Sequence, residues 1–397
     1  MQEQERRGAT GAEEGGFRCP VYKKCGGCQL DVRYAQQMSY KQRLCMKLLG
    51  RFGKVQPILG MEEPLHYRCK VSAAFGYSRG QVISGVWQSS GSRLVRVEDC
   101  ALEDPRAGEI VRVIRELLPR FDLRTYDERS GRGFLRFVTI RIGRQTGEIL
   151  LALGTGPGRF PGKGDFVRAL TKACPQITTV VQYVSTDRLN LVLGSRENVL
   201  YGRGNITDRL CGYVFQISGR SFFQVNPQQT ERLYRTAVDF AALSGSERVV
   251  DAYCGVGTIG ILASAGAREV LAVETVADAV KNARVNAALN GIENLQVCEA
   301  DAGEYLQQLA QAGERVDVVF TDPPRAGCSR QFLEALKTLK PEKIVYISCN
   351  VETQARDLAV LTARDYEVRR IQPVDMFPYT RHVECVALLC RRTAAAI

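Results

Sequence analysis

The chain has 397 residues, long enough for two or three domains, and its 45% hydrophobic and 24% charged content is ordinary for a soluble globular protein. No apolar run reaches the roughly 18 residues that a membrane helix needs, and residues 1–16 lack the apolar segment of a signal peptide, so we expect a disordered lead and a cytoplasmic protein without membrane contact. The net charge of +11 divides into +13 for residues 1–215 and −2 for residues 216–397, which favours a polyanionic partner for the first half.

Fourteen cysteines are many for a chain expected in a reducing compartment, where disulfides are rare. Four of them form a candidate metal set, with the spacing Cys-x5-Cys-Gly-Gly-Cys and a distant fourth thiol: Cys19, Cys25, Cys28 and Cys100. Four thiolates suit zinc or an iron–sulfur cluster, and the spacing does not choose between them. Cys45 and Cys69 are further candidates for the fourth ligand. The chain has only two histidines, which excludes a His-rich metal site.

The middle of the chain carries short strand signals and one clear helix. Residues 71–75 and 82–87 alternate well enough to predict strands. Residues 106–118 repeat apolar side chains at helical spacing. Residues 134–142 and 148–153 are typical of a strand pair joined by a Gln-Thr-Gly turn. This region is therefore predicted to be α+β.

Arginines are concentrated in and just before that strand pair. They are Arg124, Arg129, Arg132, Arg136, Arg141 and Arg144. Phe134 and Phe137 lie among them. Cations that hold phosphates and rings that stack on bases are typical of RNA binding, but a strand that points its arginines outward is an equally simple interpretation.

From about residue 245 the pattern changes to alternating strands and helices. Predicted strands lie at residues 248–253, 269–274, 295–300, 316–321, 343–348, 367–373 and 383–390. Residues 276–289 are predicted to form a helix, ended by Asn290 and Gly291. Strands separated by helices of this length form a parallel, doubly wound sheet. Ligands of such sheets bind beyond the carboxyl ends of the strands.

Polar or Gly-rich segments follow the first three of these strands. Residues 251–260 form a turn in which Gly255 and Gly257 let the backbone approach a ligand. Glu274 ends the second strand, where it would bind ribose hydroxyls, and Asp301 ends the third, where it could face an adenine. The turn has neither the full spacing of a dinucleotide site nor that of a P-loop. The combination therefore fits S-adenosylmethionine.

The remaining strand ends carry residues suited to covalent catalysis. Asp322 precedes two prolines and Arg325 after the fourth strand. Cys349 follows the fifth strand, and Glu384 lies at the start of the last. Methylation of carbon 5 of uracil requires a thiolate that adds to carbon 6 and a base that then removes the carbon 5 proton. Cys349 and Glu384 fit these roles, and Arg325 or His382 could stabilise the thiolate.

Several segments of the C-terminal half together resemble the motifs of the RNA uracil-5-methyltransferase family, in the family's order. They are residues 221–226, 251–260, 322–327, 348–350 and 382–384. The resemblance implies that Cys349 is the nucleophile, that Glu384 is the base and that Phe222 lies beside the target base. The residues implied to line the cofactor or uracil pocket are Gln224, Tyr253, Glu274 and Asp322. Of these, Gln224 and Asp322 are expected to contact both cofactor and substrate.

The resemblance also implies the organisation of the chain. Residues 216–397 would form a Rossmann-like S-adenosylmethionine methyltransferase domain, preceded by an α+β central domain at residues 17–215. Ribosomal-RNA members of the family hold a [4Fe–4S] cluster with a cysteine set that resembles Cys19, Cys25, Cys28 and Cys100. The small N-terminal RNA-binding β-barrel of many members has no counterpart here, so the central domain is expected to supply most RNA contacts. We expect a monomer.

Three functions follow from the resemblance. The first is methylation of carbon 5 of a uridine in 23S ribosomal RNA, which the cysteine set favours. The second is methylation of uridine 54 in transfer RNA. The third is a catalytically silent RNA-binding protein, against which the intact Cys349, Glu384 and Asp322 argue. An amino-group methyltransferase is a fourth interpretation, suggested by the Asp-Pro-Pro motif, but it would need no cysteine.

Overall fold

The structure is a computed structural model that describes residues 19–88, 93–127, 130–185, 193–194 and 196–392. The lead expected at residues 1–16 lies outside these ranges, and so does Arg129 of the arginine-rich segment. No helix within the described ranges is both long enough and apolar enough to cross a membrane.

The first sheet is mostly antiparallel and confirms the four strands predicted in the middle of the chain. Its described strands are β1 (Lys70–Ser78), β2 (Gln81–Trp87), β3 (Leu94–Arg96), β4 (Leu135–Ile142), β5 (Ile149–Thr155), β6 (Ile177–Val184) and β7 (Arg196–Tyr201). They lie in the order β3-β2-β1-β4-β5-β6-β7, with β5 and β6 parallel. A hairpin of β8 (Asn205–Leu210) and β9 (Tyr213–Ser218) follows along the chain.

The second sheet is the one that the alternation of strands and helices predicted. Its described strands are β10 (Arg248–Ala252), β11 (Glu269–Glu274), β12 (Leu295–Glu299), β13 (Val318–Thr321), β14 (Lys343–Ser348), β15 (Tyr366–Val374) and β16 (Glu384–Arg391). They lie in the order β12-β11-β10-β13-β14-β16-β15. Strands β10 to β14 are parallel, whereas β16 is antiparallel to both of its neighbours. The carboxyl ends of the parallel strands therefore meet at one edge of the sheet.

Helices cover the faces of both sheets. The described helices are α1 (Tyr22–Cys25), α2 (Tyr34–Leu49), α3 (Pro105–Arg120), α4 (Lys163–Ala173), α5 (Pro227–Ala241), α6 (Thr258–Ser264), α7 (Ala277–Leu289), α8 (Ala302–Gln311), α9 (Arg330–Leu339) and α10 (Val351–Leu361). Helices α3 and α7 confirm the two predicted helices. Helix α3 begins with a proline after Asp104, whose carboxylate accepts a hydrogen bond from the backbone N–H of Arg106 at 3.1 Å.

The second sheet is buried on both faces, which explains its nearly continuous apolar strands. Val249 and Val270 pack with helices α5 and α6 on one face. Val250 and Leu271 pack with helices α8, α9 and α10 on the other face. Leu150 of the first sheet belongs to the same core as α5 and α6. The two sheets therefore share a hydrophobic core.

Helix α2 and the segment after it pack against the second sheet, which the sequence analysis did not predict. Leu49 of α2 is buried in the same core as α10. Val55 and Leu59 form isolated parallel bridges with Ile371 and Val374 of β15. The division of the chain at residue 215 stays a proposal, because this N-terminal segment contributes to the C-terminal sheet.

A buried ion pair attaches α2 to the loop before β16. The side chains of Lys41 and Asp375 are in direct contact and fully buried. The Lys41 ammonium also donates to the Phe377 carbonyl at 2.9 Å, and the Tyr34 hydroxyl donates to Asp375 Oδ2 at 2.8 Å. A buried pair of this kind is tolerated only while both charges are present.

We expect Lys41→Met to lower the free energy of unfolding by about 3–5 kcal/mol, because Asp375 would stay buried without its cation. Urea denaturation measures the change. Lys47→Met is the matched control, because it alters an exposed lysine of the same helix, and it should change stability by less than about 0.5 kcal/mol. A loss below about 1 kcal/mol for Lys41→Met would show that Tyr34 alone satisfies the carboxylate.

Candidate active site

A cavity of about 720 Å³ opens at the carboxyl ends of the parallel strands. The candidate site residues that line it are Phe222, Gln224, Tyr253, Gly255, Glu274, Asp301, Asp322, Cys349 and Glu384. Gly257 is not among its lining residues. It precedes helix α6 with a φ of 83°, and a Cβ at this position would lie 3.2 Å from Ala283 of α7. Gly257 therefore allows the turn to pack closely against α7.

The Gly-rich turn is held in place by two carboxylates. Buried Asp251 accepts a hydrogen bond from the Gly260 N–H at 2.7 Å, and burial raises the pKa of this carboxyl to about 8. Glu274 accepts from the Gly255 N–H at 3.1 Å and from the Val276 N–H at 2.9 Å. The end of β11 is thereby tied to the turn after β10. The Glu274 carboxylate lies at the cavity wall, where it is suited to a ribose hydroxyl pair.

Asp301 has a structural contact as well as a place in the cavity wall. Its Oδ1 caps helix α8 by accepting hydrogen bonds from the backbone N–H groups of Gly303 at 2.8 Å and Glu304 at 3.1 Å. The cap fixes the end of β12 relative to the other strand ends. Asp301 can therefore face a bound cofactor only in the orientation that this cap allows.

Strand pairing brings Cys349 and Glu384 together. Ser348 of β14 pairs with Cys385 of β16 in an antiparallel ladder. Cys349 directly follows Ser348 along the chain, and Glu384 directly precedes Cys385. Both therefore leave the ladder at the same end, next to the cavity. This arrangement depends on β16 running opposite to the five parallel strands.

The electrostatic environment of these groups favours their neutral forms. Burial raises the pKa of Glu384 to about 8, with a further contribution from Asp322, and Arg325 opposes the shift. Burial also raises the pKa of Asp322 to about 7. The pKa of the Cys349 thiol is raised to about 11 by burial and then by Glu384 and Asp322, while Arg325 lowers it. Arg325 is therefore the cation that lowers the pKa of the Cys349 thiol.

His382 does not supply that positive charge. Its pKa is lowered by burial and by Arg325, so that the imidazole is neutral at pH 7. The Arg325 guanidinium lies 2.8 Å from His382 Nε2. The Arg325 carbonyl accepts hydrogen bonds from Asn350 at 3.2 Å and Thr353 at 3.3 Å, both at the start of α10. Of the two candidates, Arg325 therefore carries the positive charge, and its stabilisation of a thiolate at Cys349 stays a prediction.

Phe222 and Gln224 lie on the loop that leads from β9 to α5. Phe222 is 69% exposed and lines the cavity, whereas Gln224 is buried. Such an exposed ring at the wall of a cavity is suited to stacking on a base. Contact of both residues with a bound uracil, which the resemblance implies, stays a prediction.

Tyr234 is a cavity residue that the sequence analysis missed. It lies on α5, is buried and lines the cavity. Burial raises the pKa of its hydroxyl well above the ordinary value, with contributions from Asp322, Glu384 and Asp251, and its hydroxyl pairs with the Gln224 side chain. Nothing in the sequence separates Tyr234 from the core residues of an amphipathic helix.

The arginine-rich segment does not have the predicted arrangement. Phe134 and Phe137 are buried in the core and cannot stack on RNA. Arg136 and Arg141 are buried as well, and the Arg136 guanidinium lies 5.1 Å from the centre of the Tyr126 ring. Among the described arginines of this segment, the exposed ones are Arg124, Arg132 and Arg144. Strand β4 is buried along its whole length because both faces of the sheet are covered.

The four candidate metal ligands are half-buried, and the structure brings several of them near one another. The pKa of the Cys28 thiol is raised to about 11 by burial and then by Cys25 and Cys19. Cys28 and Cys100 pack against the same small cluster around Tyr67. Among the described residues, no group of three or more His, Cys, Asp or Glu side chains has the arrangement of a metal site. The alternatives Cys45 and Cys69 are buried in the cores of the two sheets.

The parallel sheet, the Gly-rich turn and the acidic strand ends define an S-adenosylmethionine-dependent methyltransferase. The chain belongs to the RNA uracil-5-methyltransferase family, because the family model described as tRNA (Uracil-5-)-methyltransferase matches residues 181–392. It is 41% identical to an uncharacterized RNA methyltransferase of Halalkalibacterium halodurans, over 94% of this chain and 82% of that protein. It is 39% identical to another from Clostridium acetobutylicum, over 94% of this chain and 83% of that protein.

The comparison with solved structures supports the assignment to this family. The fold is similar to that of the tRNA (uracil-54, C5)-methyltransferase of Pyrococcus abyssi in complex with S-adenosyl-L-homocysteine, with a TM-score of 0.75 and 26% identity. The similarity covers 90% of this chain and 84% of that one. The protein is therefore an S-adenosylmethionine-dependent RNA methyltransferase of the uracil-5 family.

Proposed function

We propose that the protein methylates carbon 5 of a specific uridine in 23S ribosomal RNA, with Cys349 as nucleophile and Glu384 as base. The observation that carries the proposal is the position of these two side chains, which leave neighbouring strands side by side at the cavity wall. A cavity lined by a thiol, a buried carboxyl and an exposed aromatic ring suits a pyrimidine that has been turned out of its stack.

The proposed reaction proceeds through a covalent adduct. The Cys349 thiol gives its proton to solvent, and the thiolate bonds to carbon 6 of the uracil, which gives carbon 5 enolate character. S-adenosylmethionine, when bound, would supply the methyl group that carbon 5 takes and would leave as S-adenosylhomocysteine. The Glu384 carboxylate then removes the carbon 5 proton, the double bond between carbons 5 and 6 forms again, and the bond to sulfur breaks. Asp322 and Gln224 would orient the uracil by hydrogen bonds.

A covalent complex with RNA that contains 5-fluorouridine tests the class of reaction. The fluorine on carbon 5 cannot be removed as a proton, so the adduct with Cys349 should persist after methyl transfer. An amino-group methyltransferase would form no such complex. The complex should be detected as a band of reduced mobility in a denaturing gel, and Cys349→Ala should not form it. Failure of the wild-type protein to form it would contradict the mechanism.

The choice of RNA rests on the cysteine set, and the transfer-RNA alternative rests on the substrate in the name of the Pyrococcus abyssi enzyme. Mapping of 5-methyluridine in 23S ribosomal RNA and transfer RNA from cells that lack the protein separates the two. We expect one or more positions of 23S RNA to lose the methyl group and to regain it when the wild-type gene is restored. Loss confined to transfer RNA would support the alternative.

We further propose that Cys19, Cys25, Cys28 and Cys100 hold a [4Fe–4S] cluster, because four partly exposed thiols with this spacing are a suitable donor set. The cluster would shape the RNA-binding surface and take no part in methyl transfer. Protein purified without oxygen should be brown, with broad absorbance in the visible blue and bound iron and sulfide. Cys28→Ser should lose the colour, whereas Cys211→Ser should keep it. A colourless protein that contains zinc would contradict the proposal.

The raised pKa of the base predicts how the rate depends on pH. Below its pKa of about 8, Glu384 already holds a proton and cannot accept another. Asp322, whose pKa is raised to about 7, titrates with it as a pair. We therefore expect kcat to rise between about pH 6.5 and 8.5, which a series of steady-state rates would measure. A rate that falls with pH over this interval would exclude a carboxylate base.

A further inference from the structure

Two basic side chains face each other across strands β1 and β4, beside the loop that carries Phe222. Lys70 and Arg141 are direct partners in the antiparallel register of these strands. Side chains of such partners lie on the same face of a sheet, and like charges in this position destabilise it. The pair therefore needs a compensating anion.

The described residues do not supply that anion. Arg141 is buried, and its guanidinium donates to the carbonyls of Gly219, at 3.3 Å, and of Ser221. Lys70 is half-buried, and its ammonium group makes no hydrogen bond or ion pair with any residue that the structure describes. Burial and Arg141 lower the pKa of Lys70 to about 8, so the ammonium form still dominates at pH 7. The nearby carboxylate of Asp208 is occupied by backbone N–H groups.

Lys70 and Arg141 lie next to the loop that carries Phe222 and Gln224, two residues of the cavity wall. The backbone N–H of Cys69, the neighbour of Lys70, donates to the Val225 carbonyl at 2.9 Å. Its thiol lies 3.6 Å from the Gln224 carbonyl. The loop held by these contacts and by Arg141 carries Phe222 at the cavity wall. An anion bound by Lys70 would thus lie next to the loop whose Phe222 is proposed to contact the target base.

We propose that Lys70, backed by Arg141, binds a backbone phosphate of the RNA adjacent to the uridine that enters the cavity. The inference rests on the proposed function only in placing the uridine beside Phe222. A phosphodiester supplies the negative charge that the pair lacks, and its neutralisation by a lysine releases counterions from the RNA. Arg141 acts as a positioning residue, because it holds the loop and adds to the positive potential behind Lys70.

The test is the salt dependence of RNA binding by the full-length protein. A fluorescein-labelled oligouridylate is titrated at KCl concentrations between about 50 and 200 mM, with fluorescence anisotropy as the readout. For Lys70→Met we expect the slope of log K against log salt to be shallower by about 0.7, and affinity at low salt to fall by on the order of fivefold. Lys70→Arg should keep the wild-type slope. Lys172→Met, which alters an exposed lysine of α4, is the matched control and should keep it too.

A second measurement separates this role from a structural one. Removal of a like charge opposite Arg141 should leave the Tm of the RNA-free protein equal to or above that of the wild type, and S-adenosylhomocysteine binding unchanged. A slope for Lys70→Met equal to that of Lys172→Met would disprove the phosphate site. That result is distinguishable from failure of the proposed reaction, which would appear as normal turnover in Cys349→Ala whatever the salt dependence.

Discussion

Cys349→Ala should lose methyl transfer by on the order of 10⁴-fold or more, because carbon 5 of uracil is too weak a nucleophile without a sulfur atom on carbon 6. Cofactor binding should stay close to the wild-type level, since the carboxylates and the turn that we expect to face the cofactor follow other strands. Transfer of tritiated methyl groups to RNA measures the first effect. Calorimetry with S-adenosylhomocysteine measures the second.

Cys390→Ala is the matched control for this variant. Cys390 is half-buried at the opposite end of the same strand pair, where it faces Lys343. Its loss should leave turnover within about twofold of the wild type. If Cys349→Ala methylated RNA at close to the wild-type rate, the covalent mechanism would be contradicted. Methylation of an amino group would then be the favoured reaction. Loss of cofactor binding in this variant would instead show that Cys349 supports the pocket.

The second sheet could be predicted from sequence because its strands are buried on both faces. The bounds of β11 and β14 are those predicted, and β10 and β12 each end one residue earlier. Continuous apolar runs between amphipathic helices leave little choice of structure. The same reasoning placed Glu274, Asp301 and Asp322 at one edge, since parallel strands end together.

Features that depend on distant contacts could not be predicted in this way. In the sequence, Lys41 looks like an ordinary polar residue of a helix. Its buried partner Asp375 lies 334 residues further along the chain, so no local pattern indicates the ion pair. Arg136 and Arg141 resembled solvent-facing arginines, because the sequence does not show that both faces of β4 are covered. The position of β16 between β14 and β15 is likewise a property of the whole sheet. Local sequence patterns predict individual strands and helices, whereas these features depend on how the strands and helices pack together.

The second large effect that we expect concerns Glu384, the first residue of the antiparallel strand β16. Glu384→Gln keeps the volume of a 2% exposed side chain but removes its capacity to accept a proton. Thiolate addition and methyl transfer should still occur, because neither step requires the base. The loss of Glu384 also removes one of the charges that raise the pKa of Cys349. The adduct should therefore form and then fail to break down.

Turnover of Glu384→Gln should fall by about 10²–10⁴-fold, while a covalent complex of protein and methylated RNA accumulates. The complex should carry label from the methyl group of the cofactor and should survive a denaturing gel. The double variant Cys349→Ala/Glu384→Gln should form none, which ties the bond to sulfur at position 349. If Glu384→Gln turned over normally, Asp322 would be the next carboxyl to test, because it lies in the same cavity with a pKa raised to about 7. The proposed base at the start of β16 and the proposed nucleophile after β14 thus make separate predictions, one for breakdown of the adduct and one for its formation.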